Sequence, residues 1–91
     1  MSYLPLRLPP GEDLRRALEA TATAAVNGCF VVSGIGSLWH PRLRFAAAEA
    51  ETQLDGPFEI LSLSGSLTPD GAHLHIAVAD GQGQVRGGHL C

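Results

Sequence analysis

At 91 residues and 9.5 kDa the chain has room for one domain around one core, which excludes a multi-domain enzyme. With 45% hydrophobic and 16% charged residues it is neither disordered nor fibrous. The formal net charge is -3, and the six basic residues are all arginines that form no stripe, so non-specific nucleic-acid binding by this chain is disfavoured.

In Leu4-Pro5-Leu6-Arg7-Leu8 the leucines alternate with other residues, the period of a half-buried strand, while Pro5 removes a ladder donor. An edge strand or strand start is expected there. Pro9-Pro10-Gly11 breaks the chain, and Glu12 and Asp13 place negative charge where a new helix has unpaired N–H groups. Leu14, Ala17, Leu18, Thr21, Ala22 and Ala25 recur at helical spacing and Asn27-Gly28 supplies a left-handed stop, which predicts one amphipathic helix of roughly four turns.

Cys29-Phe30-Val31-Val32 is a short apolar run suited to a buried strand, ended by Ser33-Gly34-Ile35-Gly36. Gly34-x-Gly36 lacks the third glycine of a dinucleotide fingerprint, since position 39 is Trp, and reads as a bend. Residues 43–52 are compatible with either strand or helix. Asp55-Gly56, Asp70-Gly71 and Asp80-Gly81 supply the positive φ of tight turns and delimit strands at about 58–67 and 73–79, with a further strand start from Gln84. Strand, helix, then hairpin-connected strands give an α+β domain: a mainly antiparallel sheet with one principal amphipathic helix packed on it. One helix cannot cover both faces, so an apolar second face must meet another subunit.

No apolar run approaches the roughly 18 residues of a membrane span, and Met1–Pro10 has neither a basic n-region nor an apolar h-region. A cytoplasmic location without membrane association is expected, with Cys29 and Cys91 as free thiols.

The residues with most chemical content are in His73-Leu74-His75-Ile76-Ala77-Val78-Ala79. Alternation puts Leu74, Ile76 and Val78 on one face and both imidazoles on the other, about 6.5–7 Å apart at Cα. Their nitrogens can converge on one divalent metal. His89, after Gly87-Gly88, can complete a three-histidine site with an open fourth position, as zinc uses for chemistry. The same histidines also suit a solvent-facing surface that holds no metal. Glu59, at the start of the strand from Phe58, can orient a histidine, serve as a fourth ligand or act as general base to a metal-bound water; an exposed charge or an ion pair with an arginine is the alternative. Ser62 and Ser64 fall on the strand face opposite Glu59, with no G-x-S-x-G elbow around either, so neither reads as a nucleophile. His40, beside Trp39 and Pro41, reads as an ordinary loop histidine.

Four ordered blocks carry a family resemblance: Arg7-Leu8-Pro9-Pro10-Gly11-Glu12-Asp13-Leu14, Val32-Ser33-Gly34-Ile35-Gly36-Ser37-Leu38, Gly56 to Gly65, and His73-Leu74-His75-Ile76 with Gly87-Gly88-His89-Leu90. Together they closely resemble the plants-and-prokaryotes-conserved (PPC) domain, so that residues 1–91 read as a single PPC-like domain. The resemblance implies an α+β domain that assembles as a homotrimer. It also implies kinship with plant proteins in which the domain follows AT-hook segments that bind AT-rich DNA, and with stand-alone bacterial members labelled as DNA-binding. Two departures follow. No Arg-Gly-Arg-Pro core of an AT-hook occurs in these residues, so the DNA-binding label does not transfer. Domains of the family also continue past Gly-Gly-His-Leu into further strand, so the sheet is expected to be incomplete, the chain a fragment, or the pairing completed by a neighbouring subunit.

The expected function is a trimeric assembly or partner-binding module, with a protein partner and a divalent metal, zinc, on His73, His75 and His89. A metal-dependent, hydrolase-like enzyme with Glu59 as base is the alternative; DNA binding is a third reading, disfavoured by charge.

Overall fold

A computed structural model describes residues 2–22 and 28–91. The Leu4–Leu8 segment is not a strand; it runs as irregular, mostly exposed chain before the turn at Pro10-Gly11. Leu4 and Leu6 stay exposed, Leu4 at 71%, while Leu8 is half-buried, and Pro5 cannot donate to a ladder.

Helix α1 spans Leu14–Ala22. Asp13 caps it: the Arg16 N–H donates to Asp13 Oδ1 at 3.0 Å, satisfying one of the donors left open at a helix start. The expected continuation toward Asn27 lies outside the described residues. Leu18 and Ala22 are buried against the sheet with Leu14 beside them. Arg15 and Glu19 tie the helix to strand ends, Arg15 donating to the carbonyl of Ala72 at 3.3 Å and Glu19 accepting from its N–H at 3.2 Å.

The sheet has seven antiparallel strands: β1 (Cys29–Val31), β2 (Gly36–Leu38), β3 (Arg42–Arg44), β4 (Thr52–Gln53), β5 (Phe58–Thr68), β6 (Gly71–Ala79) and β7 (Val85–Leu90). Their order is β1-β5-β6-β7-β3-β4, with β2 pairing β5 beside β1. The β5–β6 hairpin turns through Pro69 and Asp70, Thr68 standing opposite Gly71. In the β6–β7 loop Asp80 Oδ1 accepts from the N–H groups of Gln82 and Gln84 at 2.8 and 2.9 Å, and the positive φ falls on Gly83, not on Gly81 as the Asp-Gly pair suggests. Residues 46–51 are neither strand nor helix. The Ala48 N–H closes a turn on the Phe45 carbonyl at 3.0 Å, with Ala47 at φ 62.

The core lies between α1 and one face of the sheet and includes Leu43, Phe58, Ile60, Leu63, Leu67, Leu74, Ile76, Val78 and Leu90. Strand β6 alternates as expected: Leu74 and Val78 are fully buried, whereas His73 and His75 are exposed. Among the described residues no element covers the opposite face.

Candidate metal centre

Three elements of register build the site. Alternation puts His73 and His75 on the uncovered face of β6. The β6–β7 hairpin places His89 directly opposite His75. Directly opposed residues of antiparallel strands project to the same side, so all three imidazoles share one face. Ring centroids lie 5.3 Å apart for His73 and His75, 5.0 Å for His73 and His89, and 6.2 Å for His75 and His89. One ligating nitrogen from each ring falls within 4.8 Å of the others. Tetrahedral zinc, with Zn–N near 2.0–2.1 Å, spaces its nitrogens about 3.4 Å apart, so small side-chain rotations bring the three rings to a common ion. The donor set therefore fits zinc and leaves the fourth position free.

His89 is half-buried. Burial first, and then the charges of His73, Arg44, Arg15 and His75, lower its pKa below the ordinary 6.5, which favours the neutral, ligating form. No hydrogen bond among the described residues holds any of the three rings in place.

The rings sit in an open depression of about 590 Å³ whose walls include Arg44, Ser62, Ser64 and the Phe45–Ala48 turn. Arg44 stands opposite His89 across the β3–β7 pair, on the same face. Sequence reasoning misses this residue, because the pairing of β3 with β7 joins positions distant in the chain.

Glu59 is not part of the cluster. It pairs with Ala79, four residues along β6 from His75, or about 13 Å of strand. It therefore cannot reach a water on a metal held by its own chain's histidines. The assignment of Ser62 and Ser64 to the face opposite Glu59 is corrected as well. A β-bulge between Ile60 and Ser62 inserts Leu61 as an extra residue, so Ser62 pairs with Ala77 and Ser64 with His75. Both serines share the histidine face, as does Glu59 at its far end. His40 is remote in another way: its Nδ1 lies 3.3 Å from Asp55 Oδ1 in an exposed loop. Cys29 and Cys91 are free thiols. Burial and the neighbouring Glu51 raise the Cys91 pKa.

Comparison with known sequences matches residues 1–91 to the Plants and Prokaryotes Conserved (PCC) domain, the PPC domain of the resemblance above. The chain belongs to this family. Among PCC-domain relatives, the bifunctional protein GlmU of Synechococcus sp. (strain JA-3-3Ab) is 52% identical over 87 residues, which cover 94% of this chain and 14% of that protein. AT-hook motif nuclear-localized protein 25 of Arabidopsis thaliana is 36% identical over 93 residues, covering 93% of this chain and 31% of the plant protein. A solved structure of a hypothetical protein from Salmonella cholerae-suis (Salmonella enterica) superposes with a TM-score of 0.87 at 41% identity, covering 94% of this chain and 63% of that one. This PCC domain thus spans a small part of the GlmU relatives, under a third of the plant protein and less than two thirds of the Salmonella chain. The α+β architecture, a mainly antiparallel sheet with one helix, is common to this chain and its Salmonella relative. Among the described residues no helix is long and apolar enough to cross a membrane.

Proposed function

We propose that this PCC domain is a self-assembling module that holds one divalent metal, zinc by donor type, on His73, His75 and His89 of each chain. The observation that carries the metal is the convergence of three ligating nitrogens within 4.8 Å from two adjacent, rigidly paired strands. Such placement on paired strands needs no loop to order on binding.

Assembly into trimers, which the family resemblance suggests, is supported by the apolar character of the uncovered face. Phe30 pairs with Ser66, which pairs with His73, so Phe30 belongs to the histidine face while 79% exposed. Val85, opposite Ala79 on that face, is 57% exposed, and Leu61 in the bulge is 52% exposed. A small domain that leaves such residues in water gains by burying them against copies of itself. The module reading also agrees with the relatives: a region similar to nearly all of this chain recurs inside chains as different as a bifunctional bacterial protein and a plant nuclear-localized protein. A protein partner attached to the same assembly fits that pattern, whereas duplex DNA does not fit a chain of net charge -3.

Native mass spectrometry of untagged protein, with and without chelator, tests both parts. The expected spectrum is a trimer that loses one metal mass per chain on chelation. A metal-free species after incubation with zinc overturns the centre, and a monomer across the micromolar range overturns the assembly.

A further inference from the structure

The depression around the histidines contains more than metal ligands, and its charge is one-sided. Arg44 projects to the same face as His89, its direct partner in the β3–β7 ladder, and both line the depression. Arg44 is exposed and has no carboxylate partner among the described residues: Arg15 pairs with Glu19 and Arg42 with Glu51. Among the described residues no aspartate or glutamate lines the depression. Two hydroxyls, Ser62 and Ser64, line it from the β5 side, brought to that face by the extra residue at Leu61. Opposite them the wall is the Phe45–Ala48 turn, in which Ala47 adopts φ 62, a conformation uncommon for a residue with a side chain.

The geometry points to a site for a small oxyanion, a carboxylate or a phosphate ester, that takes the open metal position with one oxygen and the Arg44 guanidinium with another. The inference rests on the metal reading above and goes beyond it by naming the ligand class. A three-histidine centre of neutral imidazoles keeps the full charge of a divalent ion, so an anion is the favoured fourth ligand. The guanidinium adds two donors in a planar fork that matches a carboxylate or phosphate edge. The serine hydroxyls supply further donors to the same ligand.

The test is titration of cobalt(II)-loaded protein, read by its visible ligand-field bands, with acetate, with methyl phosphate and with neutral imidazole. The proteins compared are wild type, Arg44→Gln and Arg44→Lys. In wild type at least one anion shifts the bands. Its half-saturation is about tenfold weaker in Arg44→Gln and partly recovered in Arg44→Lys, while imidazole binds all three proteins alike. Tighter acetate assigns a carboxylate and tighter methyl phosphate a phosphate ester. The proposal is overturned by no band shift with either anion, by equal anion affinity in wild type and Arg44→Gln, by imidazole weakening in parallel with the anion, or by failure of Arg44→Gln to take up cobalt. Absence of cobalt bands in wild type is a different result: it overturns the metal centre itself and the anion site with it.

Discussion

His75 and His89 face each other across the β6–β7 ladder in direct register, and His73 lies one pleat further along β6 on the same side. Removing His75 should therefore take away one of the three converging rings. His75→Ala is expected to lose zinc, seen as loss of the metal mass and of any zinc-dependent rise in melting temperature. Because His75 is exposed, the metal-free variant should stay within about 0.5 kcal/mol of metal-free wild type. Retention of stoichiometric zinc by this variant would exclude the assigned ligands.

The lowered pKa of His89 sets a pH dependence. In the unfolded chain the imidazole titrates near the ordinary value of about 6.5, and in the folded chain below it. Between the two values the unfolded chain binds the proton more readily, so stability rises with pH through that window. The contribution is complete above about pH 6.5 and is lost as pH falls toward the folded-state value. A protonated His89 cannot ligate, so zinc affinity at the proposed centre should fall over the same acid range. Chemical unfolding of metal-free protein at pH values on either side of about 6.5 should show stability falling on the acid side. His89→Asn should flatten part of that slope. An unchanged slope would remove His89 as its source.

Much of this arrangement is legible in the residues, and the exceptions have physical causes. The alternation of His73, Leu74, His75 and Ile76 shows which side each side chain takes, because a strand surrounded by partners keeps the period of two. The β5–β6 hairpin is equally plain from the Asp70-Gly71 pair. Glu59 and the two serines are misplaced relative to one another because nothing in Ile60-Leu61-Ser62 marks a bulge, yet one added residue reverses every side chain beyond it. Arg44 is missed because its neighbour is fixed by the β3–β7 pairing, set by tertiary packing and not by local spacing. The N-terminal leucines mislead in the other direction: period-2 apolarity describes a strand only where a sheet edge and an apolar face are available to it.

Gly65 should be sensitive to substitution for reasons of backbone and not of chemistry. It has φ 151, and a Cβ added there would collide with the backbone carbonyl of His73 and lie 2.9 Å from the Cα of Leu74. Gly65→Ala must therefore strain its own backbone or push β6 away, at a cost of about 1–3 kcal/mol or more. The displaced strand carries His73, so zinc affinity should fall together with stability. Ser64→Ala, one position earlier at an exposed site, is the control and should change stability by about 0.5 kcal/mol at most. Equal behaviour of the two variants in denaturant titration would refute the close β5–β6 approach.

Leu74 separates the two histidines in sequence and lies on the other side of the sheet from them, fully buried in the core under α1. Leu74→Ala leaves the identity of every ligand intact and removes a large side chain from a site that water does not reach. The expected cost is about 2–5 kcal/mol, from lost burial plus the cavity left behind. For a domain of this size that is a large fraction of the total stability, so the metal-free variant should be partly unfolded at 37 °C. Bound at the proposed centre of the folded form, zinc should restore cooperative folding as its concentration rises above its dissociation constant. Circular dichroism melts of Leu74→Ala with and without zinc provide the measurement: a zinc-dependent rescue links the exposed histidine face to the buried one through the same strand. A melt that zinc leaves unchanged would mean that the centre forms only in the assembled oligomer, or not at all, and the concentration dependence of the same melt distinguishes those two cases.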